Sequence, residues 1–410
     1  MFKNCFKSYN ARRYYSRTLI LFLIYSHFTN LKAQWVYTGS GINDTIVYVM
    51  EYNHPNTKIF AGTLSAGVYS SSNNGNTWTQ SSVGITNDSI VSFAKNDSLL
   101  FAGTHGGLFR SNDDGVSWQL VNQNFTNYNI LSILPKGNEL FIGTDGNGVF
   151  YSPDLGNTWS AVNSGLPQNG LNVTAIISFG GNLFIGTVYG GVFKSTNNGS
   201  TWAAVNNGLG CTTYIRSFQM VGNKLLVGTQ GCGIYSTTDM GNNWFSSSVG
   251  LTAQTIIKMI QSNGTIYAAT FGGGVCFSSD SGLTWSPKNS GLNSGYELAV
   301  NTIASDGYNF FVGTYGAGAY RLQQSTTEIK SYLEIEKSIG VNPNPASEKI
   351  HIKTEVPVGL VQCTDIRGKL IFQINDSSCI NISSLENGIY KLIIHDKDGN
   401  VMSIKQIIKN

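Results

Sequence analysis

The chain has 410 residues, 26 Lys and Arg against 23 Asp and Glu, a formal net charge of +3 and only 12 % charged residues. Beyond residue 33 there is no basic run, so the electrostatic footprint that nucleic acid or an anionic membrane requires is missing and neither is an expected partner. Sparse charge beside abundant Asn, Ser, Thr and Gly fits an exported β protein.

Residues 1–33 read as a signal peptide. Lys3, Lys7, Arg12, Arg13 and Arg17 form a basic start without an acid, TLILFLIY from Thr18 is a short apolar core, and Leu31 and Ala33 suit the positions before a cleavage site. The apolar run is too short for a membrane span, and no later stretch is long enough, so no transmembrane segment is expected. Cleavage is expected before Gln34. It removes six basic residues and no acidic ones, leaving 20 against 23 and a net charge of −3.

One motif, Ser/Thr-x-Asp/Asn-x-Gly-x-x-Trp, then recurs six times. It begins at Ser71, Ser111, Ser152, Ser195, Thr237 and Ser278 and ends at Trp78, Trp118, Trp159, Trp202, Trp244 and Trp285. The spacing near forty residues, filled with short apolar strands, predicts a β-propeller. A second landmark, a strand ending in Gly-Thr or Ala-Thr, occurs seven times, at Thr63, Thr104, Thr144, Thr187, Thr229, Thr270 and Thr314. Seven units against six motifs leave one blade without its outer strand. QWVYTGSGI around Trp35 matches the stretch after each motif, so Trp35 is expected to open the outer strand of the last blade and pair with residues from 296–322. The expected fold is an all-β, seven-bladed propeller over residues 34–325, closed by its N-terminal strand, a device that removes open sheet edges.

Within the motif, Asn73, Asp113, Asp154, Asn197, Asp239 and Asp280 can accept backbone N–H groups in a tight turn. The motif glycines supply conformations that a Cβ disfavours, and the tryptophans bury apolar surface between blades. Their role is structural. The motif resembles the Asp box, or BNR repeat, of sialidases, sortilin-type ectodomains, xyloglucanases and photosystem II assembly-factor propellers. The resemblance implies four-stranded blades with the box between the third and fourth strands; it is strong for fold and weak for function.

After Gln324 the pattern changes. A linker over 326–337 leads to short alternating segments over 338–410, separated by turn signals, which predict a small C-terminal β-sandwich. Asn342-Pro343-Asn344-Pro345-Ala346, Asp365 with Gly368-Lys369, Leu385 with Gly388-Ile389-Tyr390, and Lys405 and Lys409 resemble the type A C-terminal sorting domain of the type IX secretion system of Bacteroidota. That resemblance implies the secretion machinery as a partner, and a location outside the cell or on its surface.

Five cysteines remain in the exported chain. Cys211 and Cys232 belong to loops opening on one face of the fifth blade and are an expected disulfide. Cys363 with Cys379 is a second candidate pair, and Cys276 reads as a buried apolar residue. There is no CxxC and no His-rich cluster, so neither a metal nor another cofactor is expected.

Ligands are expected at the mouth of the central channel. The glycine-rich turns there carry His105, Asp145, Tyr189, Gln230, Phe271 and Tyr315, and the loops before the inner strands add Asp44, Asp88, Tyr128, Tyr296 and Glu297. Aromatics beside amides and carboxylates suit a glycan, a peptide or a surface protein. The leading expectation is a secreted or cell-surface binding propeller without catalysis. The alternative is an extracellular glycoside hydrolase using a carboxylate pair such as Asp145 and Glu297. A sialidase is not expected, because the propeller holds only Arg110, Arg216 and Arg321, and two of these sit near the boxes, away from the mouth.

Overall fold

In the computed structural model the described residues are 33–53, 58–96, 99–210, 214–293, 295–323, 339–354, 357–365, 370–375, 377–397 and 401–410. The expected signal peptide therefore lies outside them, as does the linker. Residues 34–323 form seven four-stranded antiparallel sheets. Six are consecutive in the chain, with inner strands Val47–Asn53, Ile90–Asn96, Ile130–Lys136, Val173–Phe179, Ile215–Val221 and Ile256–Ser262. The seventh combines Val300–Ser305, Phe310–Thr314 and Ala319–Gln323 with Gln34–Tyr37 as its outer strand. Trp35 pairs with Leu322 and Tyr37 with Tyr320, so the N-terminal strand closes the ring.

The second strands are the core of each blade. The threonines ending them are fully buried, and in all seven the hydroxyl donates to a glycine carbonyl three or four residues on, at 2.8–3.0 Å. That bond fixes the turn into the third strand. The glycine before the threonine allows neighbouring blades to approach: a Cβ on Gly62 would lie 2.6 Å from Ile90 Cγ2 of the next inner strand.

The boxes form the turns they imply. In the first, the Ser71 hydroxyl accepts the Gly75 N–H at 2.9 Å and Asn73 Oδ1 accepts the Thr77 N–H at 3.0 Å. The fourth residue of every box has a positive φ, between 54° and 60°. Each such residue also receives one cation from the preceding blade: Lys58 on the Asp114 carbonyl, Arg110 on that of Leu155, Lys194 on Met240, Lys224 on Ser281, Arg321 on Asn74, and Lys136 on the side chain of Asn198. Two of the three propeller arginines are thereby committed to blade junctions.

Residues 340–409 form a three-stranded and a four-stranded sheet around a core that includes Ile350, Val361, Ile380, Leu392 and Ile407. Asn344 is stitched to the last strand, accepting the Ile408 N–H at 2.8 Å and donating to the Gln406 carbonyl at 2.8 Å. Ala346 then exchanges bonds with Ile408 and Asn410. The Asn-Pro-Asn-Pro-Ala motif thus anchors the C-terminus.

The expected Cys363–Cys379 bond is corrected: both thiols are free. Cys363 faces the core, where burial pushes its thiol up to about 11, whereas Cys379 is exposed. Cys276 is free and buried. Cys232 is disulfide-bonded; Cys211 lies outside the described residues.

Candidate ligand-binding mouth of the central channel

Antiparallel pairing brings the start of each inner strand beside the end of its second strand, as in Val47 opposite Thr63. Both therefore open on one face. All seven inner strands carry a β-bulge immediately after their first residue. A bulge inserts one residue and re-aims its side chain. The inserted residues are Tyr48, Val91, Leu131, Thr174, Arg216, Ile257 and Asn301, and all seven line one cavity of about 350 Å³ in the channel. Sequence reasoning missed this ring, because strict in–out alternation gives no place to an extra residue.

Outside the bulge ring lies a second one. The residue following each buried threonine donates its N–H to the residue preceding the inner strand: Leu64, His105, Asp145, Val188, Gln230, Phe271 and Tyr315. Five of the six turn residues expected from sequence occupy this ring. In blade four the equivalent position is Val188; Tyr189 stands one residue further along, 63 % exposed. Phe271 and Tyr315 meet edge to face at 5.8 Å.

Polar chemistry gathers on one side of the mouth. The Arg216 guanidinium lies 4.2 Å from the Tyr214 ring centroid, and its Nε donates to Gln230 Oε1 at 3.1 Å. Burial raises the Tyr214 hydroxyl above the usual tyrosine range, with Arg216 acting against it and Tyr48, Asp145 and Tyr189 adding to it. These residues therefore share one electrostatic neighbourhood. Asn129 donates to Asp145 at 3.2 Å, and Ser89 bonds His105 at 3.0 Å. Further along the inner strands, Glu51 and Lys258 line a second cavity with Gln219 and Gln261. Burial raises the Glu51 carboxyl and lowers the Lys258 ammonium, each opposed by the other's charge; Lys258 also donates to the Met50 carbonyl at 3.1 Å.

The remaining expected residues are placed differently. Glu297 ends a short 3-10 turn, Gly295–Glu297. One of its oxygens accepts the Tyr320 hydroxyl at 3.0 Å and the other the Asn293 N–H at 2.5 Å. Asp44 is likewise spent, accepting from Ile46 and Ser65 at 2.8–2.9 Å. Tyr296 is 67 % exposed, and Tyr128 packs on Phe125 and Phe150 between blades two and three. Among the described residues, no group of three or more His, Cys, Asp or Glu is placed to hold a metal.

Residues 70–334 match the family described as photosynthesis system II assembly factor YCF48. The chain belongs to that family. Residues 340–410 match the secretion-system C-terminal sorting domain, so the protein is exported by the type IX route and is secreted or held at the cell surface. No curated protein matches the sequence. Among solved structures, YCF48 from Cyanidioschyzon merolae is similar at 14 % identity and TM-score 0.55, covering 71 % of this chain and 99 % of that one. PorZ, an essential surface component of the type IX secretion system of Porphyromonas gingivalis, is similar at 16 % identity and TM-score 0.51, covering 90 % of this chain and 60 % of PorZ. A GH74 xyloglucanase from Xanthomonas campestris is similar at 15 % identity and TM-score 0.56, covering 72 % and 54 %. The chain thus spans little more than half of the latter two proteins, and identities this low establish the fold alone. Among the described residues, no helix is long and apolar enough to cross a membrane.

Proposed function

We propose that this member of the YCF48 family is a non-catalytic binding propeller, which recognises an extracellular glycan, peptide or surface protein at the channel mouth. The observation that carries this reading is the ring of seven bulge residues. Each blade spends the same backbone device on presenting one side chain to the channel, and those side chains differ from blade to blade. Arg216, stacked on Tyr214 and fixed by Gln230, is the anchor of this surface. Flat amphipathic rings beside a few fixed polar groups are the usual make-up of a specificity site.

Binding is favoured over hydrolysis by the state of the carboxylates. A glycosidase needs two of them across a cleft, and both oxygens of Glu297 are occupied, one by the Tyr320 hydroxyl and the other by the Asn293 N–H of its own loop. The test is an array of bacterial surface glycans and peptides probed with the exported chain and with Arg216→Ala. Retention on the array that Arg216→Ala abolishes supports the reading. Absence of any retained ligand, or hydrolysis of a polysaccharide that Asp145→Asn with Glu297→Gln removes, overturns it.

A further inference from the structure

Six of the seven blade junctions are built alike and one is not. At six, the tryptophan opening an outer strand is 2–4 % exposed. Its backbone N–H donates to the loop after the preceding outer strand at 2.7–3.1 Å, and its indole N–H donates to a carbonyl of that same preceding segment at 2.6–2.8 Å. The contact needs a glycine. Gly84, at a φ of +91°, would put a Cβ 2.0 Å from the Trp118 carbonyl, and the other five junctions repeat the arrangement.

Between blades two and three the glycine is missing. The loop reads Val121-Asn122-Gln123-Asn124-Phe125 and coils into a 3-10 turn capped by Asn122. Phe125 fills the junction, edge to face with Trp159 at 5.1 Å and with Phe150 at 5.2 Å. Trp159 consequently gives its indole N–H to its own Gly156 carbonyl at 2.9 Å and stays half-buried. What opens is a cavity of about 130 Å³, lined by Asn122, Asn124, Phe125, Tyr128, Phe150 and Trp159, with no charged side chain. Among the described residues, the Asn124 amide and the Tyr128 hydroxyl have no hydrogen-bond partner.

A rule kept six times and broken once marks a position under a different demand. We propose that this junction is a binding subsite for one neutral sugar ring of an extracellular glycan. The cavity would hold about four waters, at about 30 Å³ each, the scale of a single ring. Aromatic faces stack on the apolar face of a pyranose, and amide and phenol groups satisfy its hydroxyls as both donors and acceptors. The uncharged lining disfavours an acidic sugar or a charged peptide, whose desolvation it could not offset. The third- and fourth-strand residues that line this site place it outside the inner-strand mouth, so the inference stands apart from the reading above.

The test uses the full exported chain. Its seven tryptophans give seven indole N–H resonances, and Trp159→Phe identifies one of them. Cellohexaose, mannohexaose and chitohexaose are titrated to millimolar concentration. At least one is expected to move the Trp159 resonance while the other six stay, with affinity falling about tenfold in Asn124→Ala/Tyr128→Phe through two lost hydrogen bonds. Arg216→Ala should leave the shift intact, which separates this site from the mouth. The double variant removes an exposed amide and a hydroxyl that bond no protein group and keeps the Tyr128 ring on Phe125 and Phe150, so its melting temperature should match that of the parent. No movement with any of the three, an equal shift in the double variant, or movement only with an acidic oligogalacturonide overturns the inference.

Discussion

The rim of the propeller and its mouth follow opposite rules. At the rim, six boxes repeat one hydrogen-bond pattern, and six junctions repeat one tryptophan contact. At the mouth the backbone repeats just as strictly, seven bulges in one register, yet the side chains presented run from Ile257 to Arg216. Uniform side chains on a uniform backbone are what ring closure needs, since every junction solves the same packing problem. Varied side chains on a uniform backbone are what recognition needs, because a ligand has no sevenfold symmetry. The junction between blades two and three is informative for the same reason: it is a rim position where side chains depart from the repeat.

The comparison breaks most severely where the ring closes. Trp35 is 2 % exposed, packs with Leu292, Val300 and Leu322, and bonds both Ser290 and Lys288. Trp35→Ala should cost about 3–5 kcal/mol in unfolding free energy, the usual loss for a buried aromatic, measured by urea denaturation. Trp159→Ala should cost distinctly less, because Phe125 already covers that junction and the indole bonds only its own turn. Equal losses would mean that the seven junctions are energetically alike despite their geometry.

Acid gives a smaller and more selective effect on the rim. Asp113 is held at about 2 by the Ser117 hydroxyl and backbone, and Asp239 at about 2 by the Asn243 amide and backbone. Asp280 is also held at about 2: burial pulls it upward, and the Thr284 bonds outweigh that. Lowered carboxylates stabilise the fold fully above their unfolded value near 3.9, and that contribution fades as pH falls toward 2. Asp113 is exposed and Asp239 and Asp280 are partly so, so the contribution is screened and modest. The melting temperature should decline between pH 4 and pH 2, and Asp113→Asn/Asp239→Asn/Asp280→Asn should flatten the decline. Asn73 and Asn197 occupy the same position in their boxes, so amides are compatible with the turn. An unchanged slope in the triple variant would assign the acid sensitivity to other groups.

Sequence and structure agree where the repeat itself carries the information. The blade number, the role of Trp35 and the motif turns follow from aligning the units, since each unit reports on the others. The mouth is harder to read. Tyr48 and Arg216 reach the channel through a bulge, and a bulge leaves no mark in an alternating pattern. Tyr189 is displaced by one residue from its ring because its turn offers Val188 first. Glu297 folds back on Tyr320 because a 3-10 turn intervenes before the inner strand. Cys363 and Cys379 fail to meet because one faces the core of the sandwich and the other solvent, a distinction that spacing does not contain. Phe125 went unread although its signal is present: its loop is the one that lacks the glycine found after the other outer strands.

The mouth should be nearly silent in stability, and that silence is the sharpest form of the comparison. Arg216 is half-exposed, stacks on Tyr214 and donates to Gln230. It fills no junction and caps no box. Arg110 and Arg321 each hold a carbonyl of a neighbouring box. Arg216→Ala should therefore change unfolding free energy by no more than about 0.5 kcal/mol, as expected of a surface site away from structural features. Arg321→Ala should cost somewhat more, about 1 kcal/mol, through the lost charge-assisted bond. The two variants should reverse order in ligand retention, with Arg216→Ala losing it and Arg321→Ala keeping it. If Arg216→Ala instead destabilises the ring as much as Arg321→Ala, the guanidinium is a structural clamp between Tyr214 and Gln230, and the division between a structural rim and a recognising mouth fails at the residue on which it depends most.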